Sequence, residues 1–210
     1  MNIDFSQVFI LFSVLIASLT FHEAAHAWTA DRLGDRTART LGRVSLNPVV
    51  HIDPIGTIAF PLIAMVTGVP IIGWAKPVPV NTLNLRDHWK QKFMLIAAAG
   101  PASNLALAAI AAIGVRVMGF ETGPDGAAGT IFRVLQITVI LNVLLAVFNM
   151  VPVPPLDGGN VLAGVLPGKA HALFERMRPY GFLIIYALLL SGILFAIVDP
   201  IRDVLIGWLL

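Results

Sequence analysis

The apolar run that begins near Phe5 closes on Phe21-His22-Glu23-Ala24-Ala25-His26-Ala27-Trp28. On a helix, His22 and His26 are one turn apart, so their imidazoles leave the same face and can hold a single divalent ion. Glu23 lies beside them. This is the H-E-x-x-H spacing in which two histidines bind zinc and the glutamate serves as general base. Chance copies of the pattern occur, and a polar cap at a membrane interface would use the same residue types. An ionisable trio in or just beneath a membrane span is costly, however, and such groups mark function. The run from Phe5 to about Ala30 reads as one helix, long enough to cross a hydrocarbon core of roughly 30 Å at about 1.5 Å per residue.

Composition extends this to the whole chain. Of 210 residues, 57% are hydrophobic and 12% charged, with a mean hydropathy of +0.84, whereas soluble domains are about one-quarter charged. One integral-membrane domain over residues 1–210 accounts for the length, with a core over 5–159 and a C-terminal surface helix and last span over 160–210. The chain has no cysteine, which excludes disulfides and Cys-ligated metal sites. Its net charge is +2, but the bases are scattered between apolar segments and form no stripe for nucleic acid. They report membrane topology instead. Met1 to Asp4 lack the basic start of a signal peptide, and the candidate ligands sit at the end of the apolar run, so the first helix is expected to be retained.

Residues 31–54 form a polar connection in which Pro48 and Pro54 prevent a continuous helix, with room for a short strand at 44–50. His51 and Asp53 either orient a ligand or substrate or are solvated loop residues. Residues 55–72 are apolar but interrupted by Gly56, Pro61, Gly68 and Pro70, the pattern of a re-entrant segment. Gly73 to Asn81 is too proline-rich for a helix and reads as an extended edge strand, able to receive an unwound substrate or serving as a plain connector. A second span covers 93–118. It contains Gly100-Pro101-Ala102-Ser103-Asn104, and Asn104 is either interhelical glue or an active-site group. After a Gly-rich loop at 119–130 with Glu121 and Asp125, a third span covers 131–151 and ends in Asn149-Met150-Val151-Pro152-Val153-Pro154-Pro155-Leu156-Asp157-Gly158-Gly159. The prolines stop the helix, and the glycines allow a turn that returns Asp157 toward the bundle. A surface helix is expected at 160–178 and a last span at 180–198. The fold expected is an all-α polytopic bundle of about four full spans, plus a re-entrant segment and short membrane-associated β-strands.

Catalytic zinc usually has three protein ligands and one open position. A metzincin would have its third histidine at position 32 and glycine at 29, where this chain has Arg32 and Thr29. The only glutamates after Glu23 are Glu121 and Glu175, neither on a suitable second helix. Asp157, placed by a helix break at the end of a span, is the remaining carboxylate. It can meet the histidines only if 55–72 is re-entrant, because a full crossing would put it a bilayer away. The re-entrant arrangement places eleven of the fourteen Lys and Arg residues (Arg32, Arg36, Arg39, Arg43, Lys76, Arg86, Lys90, Lys92, Lys169, Arg176, Arg178) on one side, whereas full crossing divides them seven and seven. Positive-inside bias thus selects the topology that the ligand set needs, with the amino terminus outside and the histidine end facing the cytosol.

His22-Glu23-x-x-His26 in one membrane helix, with Asn149-x-x-Pro152-x-x-x-x-Asp157-Gly158 after a later one, resembles the site-2 protease family of intramembrane zinc metalloproteases. Asn47-Pro48-Val49-Val50-His51-Ile52-Asp53-Pro54-Ile55-Gly56 and Gly100-Pro101-x-x-Asn104 resemble segments of compact bacterial members. The match runs in order through residues 21–159. It implies one zinc held by His22, His26 and Asp157, Glu23 as base, Asn149 as oxyanion stabiliser, a transmembrane protein substrate, and a bacterial cytoplasmic membrane. The chain is expected to differ from larger relatives in lacking an inserted PDZ domain and extra N-terminal spans. The rival reading is a non-enzymatic membrane metal transporter or scaffold. Ala/Gly-rich helix faces leave homo-oligomerisation open.

Overall fold

A computed structural model describes residues 5–68, 73–119 and 126–210, and every regular element among them is helical. Met1 to Asp4, Pro70, Glu121 and Asp125 lie outside the described residues. The long helices are α1 (Phe5–Arg32), α4 (Trp89–Met118) and α5 (Gly126–Asn149), each long and apolar enough to cross a membrane. Between the first two come α2 (Thr37–Thr40), a π-helical stretch Pro54–Ala59, and α3 (Phe60–Thr67). The chain ends in α6 (Asp157–Val165), α7 (Gly168–Met177), α8 (Gly181–Leu190) and α9 (Ile193–Leu209).

α4 packs against both α1 and α5, and α9 packs on α5. Small side chains let α4 and α5 approach: Ala108, Ala111 and Ala112 are buried against Val139, Val143 and Val147, joined by Ile185 and Leu189 of α8 and Leu194 and Val198 of α9. The opposite faces carry exposed Phe9, Ile110, Ile113, Val117 and Ile131. Apolar surface that continuous fits a lipid environment. The end of α1, the first half of α4 and the end of α5 meet at one end of the bundle, which is where the polar side chains gather.

Three expectations change. No β-strand occurs among the described residues: Pro48–Val50 is a 3-10 turn inside the 44–50 candidate, and 73–80 is irregular backbone without a ladder partner. The N–H groups of Trp74, Lys76 and Val78 bond to Gly56 O, His51 O and the Glu23 carboxylate, so alternate residues face inward as on a strand while side chains and loop carbonyls take the place of a neighbouring strand. The 160–178 surface helix is two helices parted at Pro167, and α6, with Gly158, Gly159 and Ala163 buried, packs against α4, where Gly164 lies against Met94. Only α7 is a surface helix, with no buried residue. The last span expected at 180–198 is broken: Gly192, at φ +76°, separates α8 from α9, and the two halves meet at a 77° bend. Glycine adopts that backbone without a Cβ penalty, and the turn redirects α9 onto α5.

The 54–67 segment totals 14 helical residues, about 21 Å at the α-helical rise and well short of the roughly 30 Å of a hydrocarbon core. Asp53 starts it by accepting from Ile55 N and Gly56 N at 3.0 and 2.8 Å, which satisfies two of the orphan donors of a helix start.

Just past α1, the fully buried Asp35 accepts hydrogen bonds from Thr37 N, Thr37 Oγ1, Asn81 N and Asn84 Nδ2. It fixes the approach to α4 against the end of α1. Burial alone would push this carboxyl up, but the bonds from Asn84, Thr37 and Asn81 outweigh it and hold its pKa below the ordinary value. Asp35→Ala leaves at least two buried donors unpaired and is expected to cost on the order of 3 kcal/mol. Because the folded-state pKa is depressed, Asp35's contribution is full above the unfolded carboxyl value of about 3.9 and fades as pH falls through the folded value. Thermal melts in detergent should therefore show a wild-type advantage over Asp35→Ala at neutral pH that shrinks below about pH 4.

Candidate metal centre

His22 and His26 sit one turn apart on α1, as their spacing requires, and Asp157 opens α6. The turn between α5 and α6 places that carboxylate: Val151, Pro154 and Leu156 are buried, and a Cβ at Gly158 would run into the Met150 carbonyl. Glycine thus lets α6 start directly beneath the end of α5. The three side chains meet. His22 Nε2 lies 3.1 Å from Asp157 Oδ2, His26 Nε2 lies 3.3 Å from the same oxygen, and the two Nε2 atoms are 3.1 Å apart.

Each imidazole is held from behind. His22 Nδ1 donates to Asn104 Oδ1 and His26 Nδ1 to the Ile96 carbonyl, both at 2.6 Å. With the Nδ1 positions protonated in neutral imidazoles, both Nε2 lone pairs face the centre. Asp157 Oδ2 is buried and has no hydrogen-bond partner among the described residues. Three acceptor atoms thus converge with no donor among them, an arrangement that a cation completes. Ligand atoms on tetrahedral zinc, at about 2.0–2.2 Å from the ion, are separated by roughly 3.3–3.6 Å, so the triangle of 3.1, 3.1 and 3.3 Å needs only a slight opening. Two imidazoles and a carboxylate are a zinc donor set with room for a fourth ligand.

Gly100 is part of the same construction. A Cβ there would fall on the ring atoms of both His22 and His26, so α4 presses bare backbone against the imidazoles.

Glu23 is buried beside this triangle, and its Oε2 accepts from Val78 N at 3.1 Å. Arg43, also buried, donates to the Lys76 carbonyl at 2.6 Å and secures the segment that carries Val78. The histidines, Glu23, Asp157 and Asn149 line one cavity of about 890 Å³ whose walls include Phe60, Trp74, Phe93, Phe148 and Phe182. Trp74 stacks edge-on between Phe60 and Phe182, at 5.1 and 5.9 Å between centroids, and links the 54–76 region to α8. Asn149 donates one amide hydrogen to Leu145 O at 2.9 Å.

Of the other sequence candidates, Asn104 is buried behind His22. His51 and Asp53 are not on the cavity wall: His51 Nε2 bonds to Ser45 O at 2.8 Å, and Asp53 caps the π-helical turn. Gly100, Arg43 and Val78 take part in the site without having been assigned a role in it. Gly100 and Arg43 had a visible signal, a glycine before a helical proline and the last of four arginines in the polar connection, but neither names a partner.

Residues 116–192 match the model of Peptidase family M50, the stretch that carries Asn149 and Asp157. A Bacillus subtilis (strain 168) protein named "Putative zinc metalloprotease YwhC" is 37% identical over 189 residues, covering 84% of this chain and 78% of its own. A Mycolicibacterium smegmatis protein named "Putative zinc metalloprotease Rip2" is 31% identical over 180 residues, covering 84% of this chain and 64% of its own. A protein of the same name from Mycobacterium tuberculosis H37Rv is 26% identical over 177 residues, again with 64% of its own length covered. No solved structure matches the chain. A helical membrane scaffold, a two-histidine and carboxylate centre, and these relatives agree: the chain belongs to peptidase family M50, the site-2 protease family.

Proposed function

We propose that this chain is a single integral-membrane domain that hydrolyses peptide bonds in or near the transmembrane segments of membrane-anchored proteins, using one zinc ion held by His22, His26 and Asp157. The observation that carries this is the convergence of three acceptor atoms beside a buried glutamate on one apolar-walled cavity. Zinc, when bound, supplies a Lewis acid that polarises a carbonyl and acidifies water. Glu23 Oε1 takes the water proton while Oε2 keeps the Val78 N–H, and the same carboxyl later gives that proton to the leaving amine. Asn149 spends one amide hydrogen on Leu145 O and has a second to donate to the oxyanion. Water adds across the C–N bond, its hydroxyl on the carbonyl carbon and its proton on nitrogen.

The substrate must unwind, because a helix hides its amide groups. The 73–81 segment is our candidate for holding it: its inward groups at 74, 76 and 78 are already engaged, while Ala75 and the carbonyl of Pro77 face the other way. Pairing there would make it the strand that it is not in the resting chain. His51 and Asp53 act through this segment by anchoring the loop it bonds to. In the membrane, residues 54–67 form a re-entrant element, the bent α8–α9 pair supplies a fourth crossing, and the amino terminus lies outside with the metal centre toward the cytosol. Eleven of fourteen Lys and Arg residues on the cytosolic side support that orientation. A bacterial cytoplasmic membrane is the setting that the relatives' organisms suggest.

The test is purified protein incubated with a single-span substrate, with and without a chelator. Cleavage in or near the span, lost on chelation and restored by zinc, is the expected result. Chelator-insensitive cleavage, or metal flux into sealed vesicles without cleavage, would refute the proposal.

A further inference from the structure

The hydrogen bond behind His22 is the first of a chain that crosses three helices. Asn104 Oδ1 accepts from His22 Nδ1, Asn104 Nδ2 donates to Asn142 Oδ1 at 2.8 Å, and Asn142 Nδ2 donates to Ser18 Oγ at 2.8 Å and to the Thr138 carbonyl at 2.9 Å. Asn104 and Asn142 are both fully buried and Ser18 nearly so. We infer that Asn142 is a positioning residue for the metal centre: it fixes which way the Asn104 amide points, and through it which nitrogen of His22 is free to bind zinc. The inference rests on the reading of His22 as a zinc ligand.

The direction of the chain is set at its far end. A backbone carbonyl can only accept, so Thr138 O requires the NH2 of Asn142 and turns Asn142 Oδ1 toward α4. That oxygen in turn requires the NH2 of Asn104, assisted by a longer contact from Asn104 Nδ2 to Ser18 O at 3.4 Å. Asn104 then has only its oxygen left for His22, whose Nδ1 must carry the proton, and the Nε2 lone pair faces Asp157 and His26. An amide can flip, and a flipped Asn104 would present N–H to Nδ1 and select the opposite tautomer, which cannot ligate through Nε2. His26 needs no such relay, because its Nδ1 meets the Ile96 carbonyl directly. The two ligands are therefore oriented by unequal means, one by fixed backbone and one by two side chains in series.

Asn142→Leu removes the acceptor that orients Asn104 while keeping the number and branching of the side-chain heavy atoms. Zinc affinity, read by competition with a chelator of known strength, is expected to fall about 10–100-fold, the usual effect of losing a group that orients a metal ligand. Asn104→Asp separates this from loosened packing, since a carboxylate can only accept and holds the His22 proton on Nδ1 whatever stands at 142. In that background, adding Asn142→Leu should change zinc affinity by no more than about twofold. Nitrogen-15 spectra of histidine-labelled, zinc-free wild-type protein give a reading independent of any variant, and are expected to show His22 and His26 both protonated at Nδ1.

Equal zinc affinity in Asn142→Leu and wild type would overturn the inference. So would the same loss in both backgrounds, or an Nε2-protonated His22 in the wild type. Wild-type protein that binds no zinc would instead overturn the metal-centre reading itself, and this inference with it.

Discussion

Glu23→Gln is expected to lower cleavage by about 10²–10⁴-fold, the range for removing a general base, and to leave bound zinc near one equivalent. The substitution keeps volume and an acceptor oxygen for Val78 N, so the 73–78 segment stays where it is. What is lost is the ability to take a proton. The readouts are zinc content and cleavage of a single-span substrate, measured on the same preparation. Undiminished proteolysis in Glu23→Gln would remove Glu23 from the mechanism. Lost zinc with lost activity would make it a ligand and not a base.

Asp157→Ala separates metal binding from folding in the other direction. Among the described residues its Oδ2 has no hydrogen-bond partner, and it stands against the Nε2 atoms of both imidazoles. Removing it deletes one of three ligands, and zinc affinity should fall by more than the roughly 10–100-fold that losing an orienting group costs. The melting point of the zinc-free variant, compared with that of zinc-free wild type, reports separately on folding, and the two are expected to be similar if Asp157 serves the metal alone. A zinc-free Asp157→Ala protein that melts well below zinc-free wild type would assign Asp157 a structural role.

How far the sequence reaches differs between elements for identifiable reasons. The three long helices are legible because an apolar stretch in a membrane has few alternatives to a helix: expectations of 5–30, 93–118 and 131–151 became Phe5–Arg32, Trp89–Met118 and Gly126–Asn149. The paired histidines are legible because a four-residue step on a helix fixes geometry locally. Asp157 could be placed near the histidines because few carboxylates were left and one followed a proline break, and the structure brings it within 3.1 Å of His22.

What a residue faces across helices is another matter. Asn142 in an apolar stretch looks like any interhelical amide, and nothing local shows that it points at Asn104 and not at lipid-side partners. The bend at Gly192 was hidden because Ser191-Gly192 is tolerated inside a span and breaks it only when packing on α5 rewards the turn. The 73–81 segment has the composition of an edge strand, but a strand exists only with a ladder partner, and here Glu23, Gly56 and His51 satisfy its inward N–H groups instead.

The central claim is that two imidazoles and one carboxylate, from α1 and α6, share a single zinc ion. X-ray absorption at the zinc edge of the purified, active protein measures this directly. The account predicts one zinc per chain with two imidazole nitrogens and light oxygen ligands at about 2.0–2.2 Å, and a changed oxygen shell in Asp157→Ala. A zinc shell without imidazole scattering, or one that Asp157→Ala leaves untouched, would contradict it.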